Sequence, residues 1–157
     1  MAGSITLLCG ISGSGKSTWA KKARIAVDTP QYIVLCPDEF RMAITGQDFY
    51  LGAEEAVWSA VKTAARVLVG SQKHAILIDA TAITVGQRGQ WIRIAKELEV
   101  PIHCLVFDVP FGICQERNQE RIRFVPEEVL NRQANLFECP TEAEGFASVR
   151  KIESDSY

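Results

Sequence analysis

The chain has 157 residues, a length that suits one domain and can bury a core without disulfides or a structural metal. Apolar residues make up 47% and charged residues 23%, which excludes a largely disordered chain and a fibrous repeat. The 17 basic and 19 acidic side chains give a formal net charge of −2. This balance argues against broad, sequence-independent nucleic-acid binding, although it is compatible with a small basic groove.

Apolar runs and cysteine usage favour a cytoplasmic protein without membrane contact. No run approaches the roughly 20 apolar residues that a membrane helix needs. The segment Ile5–Cys9 is too short for a signal-peptide core and leads into a glycine-rich loop. The five cysteines include no CxxC pair, and they indicate reduced, small side chains instead of a disulfide frame or a zinc site.

Short apolar runs predict four β-strands that are buried on both faces. In chain order these runs are Ile5–Cys9, Tyr32–Cys36, Ala75–Asp79 and Ile102–Phe107. A fifth strand is expected over Phe146–Ile152, followed by a polar, frayed end at Glu153–Tyr157.

Helical periodicity occupies the segments between these strands. The patterns predict helices over Lys16–Val27 and Ala53–Val69, a third after a capping box formed by Thr84 and Gln87, and a fourth starting near Pro126. Alternating strands and helices predict an α/β fold, with a mostly parallel sheet of four to five strands and helices on both faces. In such folds, ligands bind at the carboxyl ends of the strands.

A complete phosphate-loop motif follows the first predicted strand and precedes the first helix. Residues 10–17 match G-x-x-x-x-G-K-[ST] and are followed by Thr18, and this context disfavours a merely flexible Gly/Ser loop. Glycines let backbone N–H groups surround phosphate oxygens, and the next helix directs its positive end at the same anion. The candidate phosphate-binding residues are Gly10, Ser12, Gly13, Ser14, Gly15, Lys16, Ser17 and Thr18.

Within this loop, Lys16 is expected to reach the β- and γ-phosphates, and the Ser17 hydroxyl is expected to bind Mg²⁺. The motif indicates a nucleoside triphosphate. It does not decide whether the γ-phosphate passes to water, drives a switch or goes to an acceptor.

An acidic and a basic residue follow the second predicted strand. Asp38 and Arg41 lie three residues apart, which would place them on one side of a short helix. A kinase needs a carboxylate to accept the hydroxyl proton and a cation to hold the acceptor. The alternative is a helix N-cap with an exposed ion pair, but the phosphate loop favours the functional interpretation. Glu39 is a competing candidate for the base.

Asp79 ends the third predicted strand. Its carboxylate could orient magnesium-bound water or the acceptor, or it could cap the next turn. The sequence leaves these alternatives open.

Three arginines follow the fourth predicted strand. Arg117 and Arg121 are four residues apart, which predicts one helix face, and Arg123 follows closely. Arginines on a mobile segment neutralise the charge that spreads over a transferring phosphoryl group. A solvated helix face paired with glutamates is the alternative. The position after a strand, at the same sheet edge as the phosphate loop, favours the first interpretation.

This set of residues resembles the 5′-hydroxyl polynucleotide kinases, both the phage enzymes and the kinase domain of bacterial RNA-repair proteins. The resemblance extends from Ile5 to about Ile152. Its markers are the phosphate loop with Trp19-Ala20, the pair Asp38-x-x-Arg41, Asp79-Ala80-Thr81, Val106–Pro110 and Gln115-Glu116-Arg117-Asn118-x-x-Arg121. It implies a single P-loop kinase domain over 1–157, with a small lid at about 115–125.

The resemblance also implies roles for particular residues. Asp38 would be the general base on the 5′-OH, and Arg41 would contact the adjacent phosphate of the acceptor. Asp79 and Thr81 would belong to the acceptor side. Arg121 would bind the donor phosphates, assisted by Arg117 and Arg123. The family often has Asn where this chain has Ala82, a departure in the acceptor-binding loop.

The implied reaction is Mg²⁺-dependent transfer of the γ-phosphate of ATP or GTP to the 5′-OH end of RNA or DNA, as in end healing and repair. Separate phosphatase or ligase proteins would then supply 3′-end processing and sealing. A P-loop kinase acting on a sugar, nucleoside or antibiotic hydroxyl is the second hypothesis. A nucleotide-dependent switch is the third, and the chain lacks the [NT]-K-x-D motif of guanine-binding switches.

Overall fold

A computed structural model describes residues 3–25 and 32–153 of the chain. It contains a five-stranded sheet in the order β2-β3-β1-β4-β5, in which every neighbouring pair is parallel. The strands are β1 (Ser4–Cys9), β2 (Ile33–Leu35), β3 (Ala75–Ile78), β4 (Ile102–Val106) and β5 (Ser148–Lys151). The predicted α/β class is confirmed, and the fifth strand belongs to the same parallel sheet.

Within residues 3–25 and 32–153, six α-helices connect the strands. They are α1 (Lys16–Ile25), α2 (Pro37–Thr45), α3 (Glu54–Arg66), α4 (Val85–Glu97), α5 (Phe111–Gln119) and α6 (Glu127–Leu136). The last two residues of the predicted helix Lys16–Val27, and nearly all of the predicted frayed end Glu153–Tyr157, lie outside the described residues. The helix predicted over Ala53–Val69 ends as an α-helix at Arg66 and continues as a π-helical turn over Val67–Ser71.

The core lies on both faces of the sheet, which explains why the strands are apolar along their whole length. Leu7 of β1 is buried in a cluster with residues of α3 and α4. Its neighbour Leu8 points to the other face and packs with Ala20 of α1. Because successive side chains of a strand alternate between faces, both positions must be apolar in a sheet covered on each side.

Local signals define several helix starts. The predicted capping box is present at α4. The Thr84 side chain accepts a hydrogen bond from the Gln87 backbone N–H, and the Gln87 side chain accepts one from the Thr84 backbone N–H. Helices α5 and α6 begin directly after Pro110 and Pro126. No helix within residues 3–25 and 32–153 is long and apolar enough to cross a bilayer.

A buried ion pair joins α4 to a short 3₁₀ turn before β5. Arg88 is fully buried, and its guanidinium donates to both carboxylate oxygens of Glu144 at 2.8 and 2.9 Å. The same guanidinium donates to the Ala82 carbonyl at 3.1 Å. This contact fixes the loop that follows β3, which is the loop of the predicted acceptor side.

The parallel topology positions the candidate site. The phosphate loop follows β1, and Asp79 follows β3, the immediate neighbour of β1. Helix α2 follows β2, and α5 follows β4 on the other side of β1. All four segments therefore leave the sheet at the same carboxyl edge.

Candidate active site

The phosphate loop is held tightly against its surroundings. Gly13 and Gly15 have φ values of +81° and +97°, a conformation that glycine adopts without a steric penalty. A Cβ atom at Gly13 would lie 2.4 Å from the Cys114 carbonyl oxygen of α5. The backbone N–H of Gly10 donates to the Thr81 carbonyl at 3.0 Å, which ties the loop to the segment after β3.

Lys16 points back into the phosphate loop. Its ammonium is buried and donates to the Ile11 carbonyl at 2.7 Å and to the Ser14 hydroxyl at 3.3 Å. Burial lowers the pKa of Lys16 to about 8, and the nearby Asp79 carboxylate opposes this shift. The ammonium is thus desolvated inside a loop whose ligand would be a phosphate.

Asp79 and Ser17 place two oxygen atoms that could bind a metal ion near Lys16. Burial raises the pKa of Asp79, while a hydrogen bond from the Ser17 hydroxyl and the charge of Lys16 oppose that change. A P-loop hydroxyl next to a carboxylate is the set that P-loop proteins use for Mg²⁺. These two residues therefore fit the predicted ion. In the described part of the chain, no cluster of three His, Cys, Asp or Glu side chains offers a fuller metal cage.

The arginines after β4 are arranged differently from the prediction. Helix α5 ends at Gln119, so Arg117 lies on the helix and Arg121 lies in the loop beyond it. The prediction that they share one helix face is wrong, because the chain leaves the α-conformation after Glu120. The charge of Arg121 nevertheless contributes to lowering the pKa of Lys16, so this guanidinium acts electrostatically on the lysine of the phosphate loop.

Asp38 and Arg41 lie on α2 and are paired as their spacing predicts. The Arg41 guanidinium is buried, and it contacts the carboxylates of Asp38 and of Glu54 at the start of α3. Helix α2 has Cys36 at its N-cap position with no side-chain cap, so Asp38 is not the cap that the alternative interpretation required. The Glu54 carboxylate also accepts from the Trp58 indole N–H at 3.2 Å.

Asp79 electrostatically connects the two halves of the site. The charge of Asp38 acts on Asp79 in the opposite direction to the charge of Lys16. The structure thus brings Asp38, Asp79 and Lys16 to one carboxyl edge of the sheet, although they lie on three different segments.

Arg123 lies with the acceptor-side residues and not with the phosphate loop. Its guanidinium is 3.2 Å from the Asp38 carboxylate and 3.7 Å from that of Asp48. It also stacks over the Phe49 ring at 4.8 Å from the centroid. The donor-phosphate role predicted for Arg123 is not supported by these contacts, because acidic and aromatic partners hold the side chain on the other side of the cleft.

Two residues of the site escaped the sequence analysis. Glu54 carries no motif and reaches Arg41 only because α2 packs beside α3. Gln133 of α6 accepts from the Ser12 backbone N–H at 2.8 Å, a contact across 121 residues. Neither position has a local sequence signal, because each contact depends on how one helix packs against another segment of the chain.

A cavity opens between α3, α4 and the loop after β3. Its volume is about 590 Å³, and its walls include Trp58, Ala80–Ala82, Gln90 and Trp91. This volume is within the usual range of small-molecule sites. The cavity adjoins the candidate acceptor residues, because Trp58 and Arg41 both donate hydrogen bonds to the Glu54 carboxylate.

A full phosphate loop between a strand and a helix, with a carboxylate from the neighbouring strand, defines a P-loop nucleotide-binding domain. Residues 5–140 match the family model AAA_33, described as an AAA domain. The chain belongs to this family.

Similar proteins include polynucleotide kinases and small-molecule kinases. The bifunctional polynucleotide phosphatase/kinase of Schizosaccharomyces pombe is 25% identical over 153 residues, which cover 94% of this chain and 33% of that protein. The chain thus spans about a third of the length of this curated relative.

Two solved structures illustrate the shared fold. In the Pnkp1/Rnl/Hen1 RNA repair complex, a chain superimposes with a TM-score of 0.75 at 23% identity, covering 86% of this chain and 44% of its own. The APS kinase of Mycobacterium tuberculosis superimposes with a TM-score of 0.65 at 15% identity, covering 98% and 92%. The fold is that of the P-loop kinases.

Proposed function

We propose that this protein is a polynucleotide 5′-hydroxyl kinase that transfers the γ-phosphate of ATP or GTP to the 5′-OH end of RNA or DNA. The observation that carries the proposal is the position of Asp38 and Arg41. The Asp38 carboxylate and the buried Arg41 guanidinium lie together at the sheet edge that also holds Lys16. The charges of Lys16 and Asp38 both influence the pKa of Asp79, which lies at the same edge. This is the arrangement that transfer to a hydroxyl acceptor requires.

The residues divide the work of an in-line displacement. Asp38 accepts the proton of the 5′-OH as its oxygen attacks the γ-phosphorus, and the bond from that phosphorus to the β–γ bridging oxygen breaks to release the nucleoside diphosphate. Lys16 and Arg121 neutralise the donor phosphates, with Arg117 assisting. Arg41 holds the phosphate next to the reacting nucleoside. Ser17 and Asp79 would hold Mg²⁺, which would neutralise charge on the β- and γ-phosphates.

The similar proteins support the choice of acceptor. The S. pombe relative is named as a polynucleotide phosphatase/kinase, and the structure with the TM-score of 0.75 comes from an RNA repair complex. By analogy we infer a role in healing nucleic-acid ends. Separate phosphatase or ligase proteins would be partners acting on the same ends, and the lid at 115–125 would belong to one kinase domain over residues 1–157.

A small-molecule kinase is the second candidate. The cavity beside the acceptor residues and the fold shared with APS kinase favour it. The two candidates differ in the acceptor: a polynucleotide kinase requires a phosphate next to the reacting nucleoside, because Arg41 would bind it.

The test uses γ-labelled ATP or GTP with Mg²⁺ and four acceptors. These are a 5′-OH oligoribonucleotide, a 5′-OH oligodeoxynucleotide, the 5′-phosphorylated oligonucleotide and a free nucleoside. Label on the 5′-OH oligonucleotides alone, lost in Asp38→Ala and Lys16→Ala, is the expected result. Removal of a general base should cost about 10²–10⁴-fold in rate.

Glu39→Gln is the matched control, because Glu39 is the competing base and its carboxylate is occupied by Arg24 at 3.1 Å. Activity retained in this variant assigns the proton transfer to Asp38. Labelling of small hydroxyl acceptors alone would overturn the proposal in favour of the second candidate. Hydrolysis that no acceptor changes would favour a nucleotide switch.

A further inference from the structure

The cavity between α3 and α4 lies in the described part of the chain. Thr81, predicted for the acceptor side, is one of its wall residues, and the transfer step proposed above uses none of the others. Its volume of about 590 Å³ lies between two helices and the loop after β3. Lys62 of α3 donates to the Gln90 side chain of α4, so a polar contact joins the two helices at the cavity wall. The cavity is therefore defined by elements that contact each other.

The position of this pocket points to the acceptor and not to the donor. Glu54 binds the Arg41 guanidinium with one carboxylate oxygen and the Trp58 indole with the other. Trp58 is in turn a wall of the pocket. On the side of the sheet, the pocket is closed by Ala80–Ala82, directly after Asp79. A group bound here would lie near one bound at Arg41, because Trp58 and Arg41 contact the same carboxylate.

The lining suits a flat heteroaromatic ring. The half-buried Trp58 presents its indole to the pocket, and the buried Trp91, which is 2% exposed, forms part of the wall. Ser59, Gln87 and Gln90 add hydroxyl and amide groups. Proteins recognise unpaired nucleobases with this combination, in which aromatic side chains contact the ring and polar groups bind its edges.

We propose that this pocket binds the base of the terminal nucleoside, the one that carries the reacting 5′-OH. The inference rests on the proposed function and deepens it. With its base in the pocket and its 3′-phosphate on Arg41, the terminal nucleoside is held at two points, and its 5′-OH is left to Asp38. The enzyme then discriminates against ends that lack a base.

Two acceptors test this placement. One is a 5′-OH oligonucleotide, and the other is the same oligonucleotide with a 5′-OH abasic residue at its end. The wild-type kcat/KM should be about tenfold or more lower for the abasic end, because a stacked base contributes that much to binding. Ser59→Phe fills the pocket from an exposed position of α3. It should lower the kcat/KM for the oligonucleotide with a terminal base to the value for the abasic one.

Thr63→Phe is the matched control, since Thr63 is exposed on the same helix one turn further on and lies outside the lining. It should keep the wild-type discrimination. Equal kcat/KM values for both ends in the wild type would overturn the pocket proposal while leaving the kinase intact. An equal loss on both ends in Ser59→Phe would overturn it too. Transfer to neither end would instead refute the proposed function.

A binding measurement gives an answer that does not depend on activity. A nucleoside 3′-monophosphate should change the tryptophan fluorescence of the wild type and of Thr63→Phe, because Trp58 and Trp91 line the pocket. Ser59→Phe should abolish this change. An unaltered fluorescence response in Ser59→Phe would place the nucleotide elsewhere.

Discussion

The guanidinium of Arg123 lies 3.2 Å from the carboxylate of Asp38, which joins the loop after α5 to the candidate general base on α2. The same side chain donates to the Asp48 backbone carbonyl at 3.2 Å and covers the Phe49 ring. The loop that carries Arg121 toward the phosphate loop is thus fastened at its other end to the acceptor side. Donor and acceptor contacts are joined through one short segment.

The first prediction concerns this fastening. Arg123→Ala should change the free energy of unfolding by no more than about 1 kcal/mol, because partly exposed ion pairs contribute little. Amide exchange across residues 120–126 should nevertheless become faster, since the segment loses its contacts with Asp38, Asp48 and Phe49. Hydrogen exchange with mass spectrometry measures this. Arg132→Ala, an exposed position on α6, is the control, and equal exchange in both variants would contradict the role of Arg123.

The second prediction concerns the buried ammonium of Lys16. Its pKa in the folded protein is about 8, below the ordinary value of 10.5, so the folded state releases this proton before the unfolded state does. The cost of burying the charge is fully present below pH 8 and disappears as the pH rises to about 10.5. At pH 7, the free energy of unfolding of Lys16→Met should therefore exceed that of the wild type by about 1–3 kcal/mol. The variant should accordingly unfold at a higher temperature.

This advantage of Lys16→Met should shrink between pH 8 and pH 10.5, as the wild-type lysine becomes neutral. Thermal unfolding of both proteins without nucleotide, at pH 7 and pH 10, measures the difference. A difference that is the same at both pH values would show that the charge of Lys16 carries no folding cost. The variant should also lose nucleotide binding, because its side chain cannot neutralise phosphate.

The third prediction concerns Ala82, where the sequence departs from the polynucleotide kinases it resembles. Ala82 has a φ of +44°, in the left-handed region that disfavours residues with a Cβ atom. Its carbonyl accepts from the Cys9 thiol and from Arg88, which hold the strained conformation. Asn tolerates this region better than Ala does, which is a physical reason for an Asn at this point of the family pattern.

Ala82→Gly should stabilise the protein by about 1 kcal/mol, since the relief of strain exceeds the added chain entropy. Chemical denaturation measures this change. The control is Ala80→Gly in the same loop, where φ is not positive and glycine should destabilise. Destabilisation by Ala82→Gly of the same size as by Ala80→Gly would disprove the strain at Ala82.

The fourth prediction concerns the buried pair of Arg88 and Glu144. Glu144→Gln would leave the fully buried guanidinium without its carboxylate, and it should cost about 3–5 kcal/mol of stability. Glu142→Gln, an exposed change in the same turn, should stay within about 0.5 kcal/mol. Urea unfolding separates the two. A small effect of Glu144→Gln would mean that water or another group replaces the carboxylate.

The fold was accessible from sequence because its signals are local. A run such as Ile5–Cys9 is apolar at every position only if both faces of its strand are covered, and the alternation with helices then leads to a parallel sheet. The phosphate loop is also local, since its glycines, Lys16 and Ser17 are consecutive and act on one ligand. The pairing of Asp38 with Arg41 follows from helical spacing alone.

The remaining features depend on contacts between distant segments. The side chain of Glu54 reaches Arg41 because α3 packs beside α2, and Gln133 reaches the phosphate loop from the last helix. Arg123 lies beside Asp38 for two reasons. Helix α5 ends at Gln119, and acidic and aromatic side chains from another part of the chain contact the guanidinium.

By itself, therefore, the sequence determined the parallel α/β sheet, the phosphate loop and the Asp38–Arg41 pair, since each depends on neighbours within one turn or one strand. Only the tertiary structure decided which elements enclose the pocket, which carboxylates surround each arginine and which residue must adopt a strained φ. Such features arise when segments far apart in the chain share one volume, and spacing along a single chain carries no record of that.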